Sequence, residues 1–408
     1  MNYEDISLDL FENRRCTPFE VSPEGDPVGF GKLRSDHIFL MDYRAALGAK
    51  GWTNPRIIPY HQGIPDLMTK GLKLGSKVLH YGYSCFEGAK AFRHSDGELY
   101  TFRLDQNAER FACSARMLTM PPVDEEVFEM AVNYLLDIDR LHFPTGVEGA
   151  SLYIRPFMFA MSDQLGVPSG SSFTFAIFLS PSGPYYEDGF DPINLLVQPY
   201  FHRAVTGGVG GAKAGGNYAG ASRPGSLADL LGCSQTLFLS PEEGFVEEVG
   251  TSGFAMVENG KLVLPEKADT ILDSITVRTV EQLAPQEPLN MSVSREKISI
   301  DRLLRGLDDG TVSEVIGLGT AAVVSPVRSL RIIREEEIDP CILERVRYGK
   351  VGIEELVPGD RSKYVDELLV GDGETGEFTQ RLFDFYTGIQ NGTVEDRWGF
   401  LKKVEIRV

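Results

Sequence analysis

Residues 207–221 read GGVGGAKAGGNYAGA and place seven glycines around one lysine, Lys213. Because glycine has no Cβ, such a loop can bring its backbone close to a ligand. Two functional interpretations follow: a phosphate-binding loop, or a lysine with room to attack a carbonyl group. A Walker A phosphate loop has Gly directly before its lysine and Ser or Thr directly after it. Ala212 and Ala214 occupy those positions here, which argues against the first interpretation.

The second interpretation needs a lysine amine with a lowered pKa. Partial burial lowers the pKa of a lysine, and a carbonyl cofactor can then capture the amine as an imine. For the motif alone, a flexible glycine-rich surface loop with an incidental lysine is the stronger alternative. The choice between the two therefore depends on motifs elsewhere in the chain.

Length and composition indicate a globular protein of two domains. The chain has 408 residues, of which 42% are hydrophobic and 24% are charged, values typical of globular proteins. Its formal net charge of -19 argues against binding to nucleic acid or to an anionic membrane. With no long apolar run and no signal-peptide pattern at the acidic N-terminus, we expect a cytoplasmic protein. The five cysteines form no CxxC pair, so we expect neither disulfides nor a metal site.

Hydrophobic periodicity predicts a mixture of strands and helices in the first half of the chain. Residues 1–35 are rich in turn formers and predict an irregular arm. Short alternating runs in 37–102 predict an antiparallel or mixed sheet, and helical spacing predicts helices at 107–117 and 125–139. Further strands are predicted at 151–159 and 172–179.

The second half also alternates between strands and helices. Helices are predicted at about 225–232, 268–283 and 300–307, and strands at 193–199, 235–239, 253–257, 262–264, 314–318 and 321–327. The pattern of 335–376 predicts no structure. Because 180–189 breaks all periodicity, we expect a smaller α/β domain at 1–182, a linker at 183–192 and a second domain at 193–408.

Several motifs beyond the glycine-rich loop occur in a fixed order. Residues 213–218 read KAGGNY, and residues 79–93 read LHYGYSCFEGAKAFR. The others are NAERF at 107–111, LYIRP at 152–156, EVGT at 248–251, IT at 275–276, GTA at 319–321 and YTGIQNGTVEDR at 386–397. Together they resemble branched-chain aminotransferases, which are class IV aminotransferases and pyridoxal phosphate (PLP) enzymes of fold type IV. The resemblance spans 42–398, apart from 335–376. It implies a two-domain α/β (α+β) protein with a C-terminal pseudo-barrel that binds PLP.

The resemblance also implies which residues hold the cofactor. Lys213 would be the catalytic residue that forms a Schiff base with PLP and moves the substrate proton. Glu248 would bond the pyridine nitrogen, and Tyr218 the phenolic oxygen. The phosphate would be bound by Arg110, Ile275, Thr276 and Thr320.

The same family likeness implies the substrate residues. An apolar pocket would be lined by Tyr81, Phe86 and Tyr153. Arg155 would bind the second carboxylate of glutamate or 2-oxoglutarate, and the turns at Thr251 and Ala321 would bind the α-carboxylate. Leu165 resembles the loop that reaches the partner subunit, which implies a homodimer with active sites near the subunit interface.

The implied activity is transfer of an amino group from Leu, Ile or Val to 2-oxoglutarate, as in branched-chain amino-acid biosynthesis. Two alternatives stay open: another fold type IV enzyme, such as a D-amino acid or amine transaminase, a lyase or a biosynthetic aminotransferase with an unusual substrate, and a catalytically inactive homologue. The sequence also departs from the family pattern. Gly253 replaces the usual Asn, and Asp273, Ser274 and Val277 replace a frequent Pro-Gly and basic residue.

Overall fold

The computed structural model describes residues 1–21, 28–70, 72–147, 149–168, 170–183, 190–241 and 243–407. The chain divides into two compact units. The first comprises Met1–Gly189, Ala212–Gly216 and Gly388–Val408, and the second comprises Phe190–Gly211 and Asn217–Thr387. Residues 184–189 of the predicted linker lie outside the described residues, and the predicted division at 183–192 stays a prediction. No helix within the described ranges is long and apolar enough to cross a membrane.

Strands and helices alternate along the described parts of the chain. The strands are β1 Ser7–Leu8, β2 Phe19–Glu20, β3 His37–Arg44, β4 Trp52–Pro59, β5 Ser84–Phe86, β6 Ala89–Arg93, β7 Leu99–Phe102, β8 Pro144–Thr145, β9 Ser151–Ala160, β10 Ser172–Ser182, β11 Ile193–Val197, β12 Gln235–Leu239, β13 Val246–Val249, β14 Ser252–Glu258, β15 Lys261–Pro265, β16 Val293–Glu296, β17 Val312–Gly319, β18 Val323–Ile333, β19 Val365–Leu369 and β20 Leu401–Lys403. The helices are α1 Gly63–Lys70, α2 Lys77–Tyr81, α3 Leu104–Met117, α4 Glu125–Ile138, α5 Gly215–Gly220, α6 Ser222–Leu230, α7 Ile275–Leu283, α8 Ile300–Asp308, α9 Pro340–Arg347 and α10 Glu377–Asn391. Short 3-10 helices span Tyr3–Asp5, Ala45–Lys50, Tyr60–Gln62, Arg140–His142, Glu335–Glu337, Ile353–Leu356 and Arg361–Tyr364.

A mixed sheet organises the first unit. Its described strands follow the order β1-β4-β3-β10-β9-β6-β7-β20, and β5 pairs with β9. β1 and β4 are parallel, and the other neighbours are antiparallel, so the predicted sheet is confirmed. Helices α3 and α4 pack against this sheet because their apolar residues recur at helical spacing. Phe39, Phe111, Phe128 and Phe175 form the buried centre of this contact.

A closed ring of strands organises the second unit. The order among its described strands is β13-β12-β11-β18-β17-β14-β15-β16, with β19 beside β18. β13 also pairs with β14 through a tight turn, and Val249 lies opposite Ser252. This pairing joins the two ends of the strand order β13-β12-β11-β18-β17-β14. These six described strands therefore form a closed barrel. The predicted pseudo-barrel is therefore confirmed.

The helix predicted at 268–283 is wrong in its first half, because α7 begins only at Ile275. The Ser274 side chain accepts a hydrogen bond from the Val277 N–H and so caps the helix there. Just before the cap, the Leu272 N–H donates to a carboxylate of another segment, Glu248, and this tertiary bond holds residues before 274 outside the helix. Periodicity alone does not reveal such a bond.

Two other segments are more regular than expected. Residues 335–376, which predicted no structure, contain α9 and β19, and β19 extends the barrel sheet along β18. Buried Ile338, Val346 and Tyr364 pack this segment against the barrel core. In the N-terminal arm, β1 pairs with β4, so the arm is not wholly irregular.

Candidate functional site

The backbone of Lys213 is held by two elements of the first unit. Its N–H donates to Ser114 Oγ of α3 at 3.0 Å, and its carbonyl accepts from the Phe86 N–H of β5 at 3.0 Å. The next residue, Ala214, forms a bridge with Cys85. A Cβ at Gly215 would lie only 2.6 Å from Ser84 Oγ, so the glycine permits this close approach. The lysine is therefore fixed at a defined place, contrary to the surface-loop alternative.

The Lys213 amine lies in surroundings that disfavour its charge. Burial lowers its pKa to about 8, and the positive charge of Arg110 acts in the same direction. Glu87 and Tyr153 oppose this shift. The Nζ atom lies 4.9 Å from the centroid of the Phe86 ring. At pH 7 roughly a tenth of this amine is therefore unprotonated, far more than for an ordinary lysine, and the unprotonated form is the nucleophile.

Arg110 is held by a carboxylate that sequence reasoning did not single out. Its Nε donates to Glu87 Oε1 at 2.7 Å and its Nη2 donates to Oε2 at 2.9 Å. The Asn107 amide donates to the same Oε2 at 2.7 Å. Burial alone would raise the pKa of Glu87, but the charge and hydrogen bonds of Arg110 lower it overall. Glu87 is thus an ionised, fully buried partner that fixes the plane of the guanidinium. The available signal was that Glu87 is the only acidic residue in the motif at 79–93.

Arg155 lies among the predicted wall residues of the substrate pocket. Its guanidinium carbon lies 4.9 Å from the Phe86 ring centroid and 5.3 Å from that of Tyr153. One amino group, Nη2, donates to the Tyr153 hydroxyl at 3.1 Å. Its buried Nε has no hydrogen-bond partner among the described residues. A buried donor without a hydrogen-bond partner costs free energy. This guanidinium can therefore donate a hydrogen bond to a bound anion.

The remaining two predicted residues of this unit lie at its surface. The Tyr81 hydroxyl accepts from the Gly166 N–H at 2.9 Å, which links α2 to the loop carrying Leu165. The Leu165 side chain is 71% exposed. The structure therefore places Tyr81 beside the Leu165 loop of the same unit and leaves both side chains accessible.

In the second unit, Glu248 is buried and lines a small cleft. Its Oε2 lies 2.7 Å from Arg203 Nε, and its Oε1 accepts from the Leu272 N–H at 3.0 Å. The cleft is lined by Arg203, Asn217, Tyr218, Ala221, Glu248, Gly250, Thr251 and Leu272. Arg203 was missed from the sequence because nothing near it marks it as a partner of Glu248. This pairing supplies the positive charge that a buried carboxylate needs.

The other predicted residues of the second unit lie at a helix start and at adjacent turns. Ile275 and Thr276 are the first two residues of α7, and both are buried. β14 and β17 pair with Gly253 opposite Leu318, which puts the turn containing Thr251 beside the turn at 319–321. That second turn carries Thr320 and Ala321.

Two of the departures from the family pattern contact each other. Gly253 lies opposite Glu248 in the β13–β14 pairing, and a Cβ at Gly253 would lie 2.5 Å from Val277 Cγ2. An asparagine at 253 would therefore need the space that Val277 occupies. Asp273 and Ser274 line the same cavity of about 130 Å³ as these two residues. All four departures therefore lie around one cavity.

The predicted site residues are distributed over both units. Lys213, Arg110, Tyr81, Phe86, Tyr153, Arg155 and Leu165 belong to the first, and Tyr218, Glu248, Thr251, Ile275, Thr276, Thr320 and Ala321 belong to the second. Over the described ranges, no group of three His, Cys, Asp or Glu side chains could hold a metal ion. The residues available for chemistry are an amine, paired carboxylates and guanidinium groups.

Comparisons with known proteins find relatives that are similar to this protein over most of its chain. A family model described as Amino-transferase class IV matches residues 84–330. A probable branched-chain-amino-acid aminotransferase of Staphylococcus aureus strain N315 is 39% identical, over 95% of this chain and 96% of that protein. Branched-chain-amino-acid aminotransferase 2 of Bacillus subtilis strain 168 is 36% identical, over 99% of this chain and 98% of that protein. The crystal structure of the Escherichia coli branched-chain amino acid aminotransferase has a TM-score of 0.67 at 24% identity, covering 91% of this chain and 99% of that one. This structural likeness confirms the predicted fold class.

The lowered pKa of Lys213 predicts how its reactivity depends on pH. In cofactor-free folded protein, labelling of Lys213 by an amine-specific reagent should reach half its maximal rate near pH 8, because only the unprotonated amine reacts. Mass spectrometry of the peptide containing Lys213 measures this rate. In protein unfolded by urea, which serves as the control, the midpoint should move toward the ordinary value of 10.5. Equal midpoints for folded and unfolded protein would contradict the assignment.

Proposed function

The chain belongs to the class IV aminotransferase family, and we propose that it transfers the amino group of L-leucine, L-isoleucine and L-valine to 2-oxoglutarate. The products are the branched 2-oxo acids and L-glutamate. The observation that carries this proposal is the fixed backbone of Lys213, whose N–H donates to Ser114 Oγ and whose carbonyl accepts from the Phe86 N–H. The full-length similarity to branched-chain aminotransferases supports the choice of substrates.

The residues present suit pyridoxal phosphate, the cofactor of this family. When bound, this group withdraws electrons from the substrate Cα and so allows its proton to leave. Lys213 offers the amine to which the cofactor would be attached. Arg110 offers a guanidinium of fixed orientation for the phosphate, and Glu248 offers a buried carboxylate for the ring nitrogen.

Lys213 would also move the substrate proton. A group with a pKa near the working pH can both accept a proton and return it. The amine would accept the proton that leaves the substrate Cα in the first half-reaction and would hold it for return. The reverse transfer would complete the second half-reaction, with the oxo acid as amino acceptor.

Charged and polar partners surround the groups that would hold the cofactor. Arg203 places a positive charge 2.7 Å from Glu248 Oε2, and this carboxylate would bond the ring nitrogen. The predicted phosphate residues Ile275 and Thr276 open α7, and a helix N-terminus attracts anions through its N–H groups and its dipole. Family resemblance is the basis on which we assign Thr320 to the phosphate and Tyr218 to the phenolic oxygen.

One pocket must accept an apolar side chain and an acidic one. Tyr81, Phe86 and Tyr153 would surround the branched side chain of leucine. Arg155 lies over the faces of two of these rings, so its flat guanidinium can form part of an apolar wall. Its Nε, which has no hydrogen-bond partner among the described residues, can instead bind the second carboxylate of 2-oxoglutarate. Thr251 and Ala321 would bind the α-carboxylate of both substrates.

We also propose a homodimer, in the cytoplasm. The first unit exposes a group of apolar side chains around the Leu165 loop: Leu74, Leu79, Tyr81, Leu165 and Val167. The Leu165 loop is tied to this surface, because the Tyr83 hydroxyl donates to the Val167 carbonyl at 2.6 Å. An exposed apolar patch of this kind is typical of a subunit interface.

The central prediction concerns the absorption spectrum of the PLP-loaded protein. L-Leucine should remove the visible band of lysine-bound cofactor, and 2-oxoglutarate should restore it, because the amino group passes to the cofactor and then to the oxo acid. Lys213→Ala, the control, should lack the band and the activity. A stable band that L-leucine, L-isoleucine and L-valine leave unchanged, but that D-amino acids or amines remove, would refute the substrate assignment. Failure of added PLP to produce any band would support an inactive homologue.

A second prediction separates the two substrates. Arg155→Gln should raise KM for 2-oxoglutarate about tenfold or more, because a charge-assisted hydrogen bond to the carboxylate is lost. KM for leucine should change less than about threefold, since leucine has no second carboxylate. Steady-state kinetics with each substrate varied measures both constants, and Arg155→Lys is the charge-conserving control. Equal effects on the two substrates would exclude this role.

The dimer prediction rests on Leu165. Leu165→Asp should weaken self-association, because it introduces a charge into an apolar contact. Analytical ultracentrifugation over a range of concentrations measures the dissociation constant. Leu369→Asp changes a leucine of the second unit that is also exposed and should have no effect. A wild-type protein that sediments as a monomer would rule out the dimer.

A further inference from the structure

Glu247 is a buried acid with no part in the chemistry described above. It precedes Glu248 on β13, and each residue is only 5% exposed. Because side chains alternate along a strand, the two carboxylates point to opposite faces of the sheet. Burial raises the pKa of Glu247, so a carboxyl group in this place costs stability. The stability of the fold therefore does not explain why a carboxyl group occupies this position.

The contacts of Glu247 lead to a loop that reaches Glu248. The Thr270 hydroxyl donates to Glu247 Oε1 at 2.5 Å. The Thr270 carbonyl accepts from Arg203 Nη2, and the same guanidinium lies against Glu248 Oε2 through its Nε. Two residues further on, the Leu272 N–H donates to Glu248 Oε1. The segment at 270–272 therefore contacts both acids and the arginine.

This segment has no regular secondary structure of its own. Between β15 and α7, residues 266–274 form a loop. At the start of the loop the Glu266 N–H donates to the Glu296 carbonyl, and further along Asp269 accepts from the Gly207 N–H at 2.7 Å. The Glu247–Thr270 bond ties the middle of the loop to the barrel strand β13. Without it, the orientation of Arg203 and of the Leu272 N–H would be less restricted.

We propose that Glu247 is a positioning residue, which fixes Thr270 so that Arg203 and Leu272 hold both oxygens of Glu248. The proposal rests on the proposed role of Glu248 at the cofactor ring nitrogen. Glu247 touches neither substrate nor cofactor and acts through Thr270. The adjacent pair of acids thus has divided roles: one carboxylate would serve the cofactor, and the other orients the groups around it.

The test compares Thr270→Val, which removes the hydroxyl donor but keeps the shape, with Glu247→Leu. Each should lower kcat about tenfold, because a misplaced Glu248 weakens the electron withdrawal on which proton loss depends. KM for leucine should change less than about twofold. Each should also weaken PLP binding to the cofactor-free protein, measured by titration, and shift the pH dependence of the PLP absorption band. The double variant should have the same kcat and PLP affinity as either single variant, because the two substitutions remove the same bond.

Two controls make the outcome decisive. Glu247→Gln retains an oxygen that can accept from Thr270 and should restore most of kcat and PLP affinity, whereas Glu243→Gln changes an exposed acid of the same stretch and should have no effect. Thermal unfolding verifies that each variant folds. Additive effects of Thr270→Val and Glu247→Leu, or a lower Tm with unchanged kcat and spectrum, would overturn the positioning role. If Glu248→Gln itself leaves PLP binding and the spectrum unchanged, the proposed role of Glu248 fails instead.

Discussion

The backbone of Lys213 is bonded on both sides, and the chemistry proposed for this protein depends on that constraint. Ser114 of α3 accepts from its N–H, and the Phe86 N–H donates to its carbonyl. A lysine side chain has four rotatable bonds and loses considerable entropy when ordered. Fixing its backbone confines the amine to a partly buried place beside the Phe86 ring. The lowered pKa follows from this burial.

Two buried carboxylates organise the charges around the candidate site in the same way. Glu87 holds Arg110 in the first unit, and Arg203 holds Glu248 in the second. A charge removed from water needs a partner with good geometry, since desolvation otherwise exceeds the attraction. Each pair therefore fixes the orientation of a group that the proposal assigns to the cofactor. Beside Glu248, packing restricts position 253 in a different way, because a Cβ there would lie 2.5 Å from Val277 Cγ2.

Periodicity predicted most strands and helices, because burial of one face imposes a repeat on the sequence. It failed where a bond between distant segments decided the structure. The helix predicted at 268–283 is shortened because Leu272 bonds to Glu248 and Ser274 caps the remaining turns. The segment 335–376 looked patternless, since its short elements are stabilised by packing against the barrel and not by a repeat of their own.

The sequence by itself determined the fold class, the family resemblance and the candidate lysine, because these depend on local periodicity and on motifs contiguous in the chain. It also named Glu248, Arg110 and Arg155 through those motifs. Only the tertiary structure identified their partners Glu87 and Arg203, the buried acid Glu247 and its contact with Thr270. The physical reason is that ion pairs and hydrogen bonds form between residues far apart in the chain, and their geometry is set by how strands and loops pack.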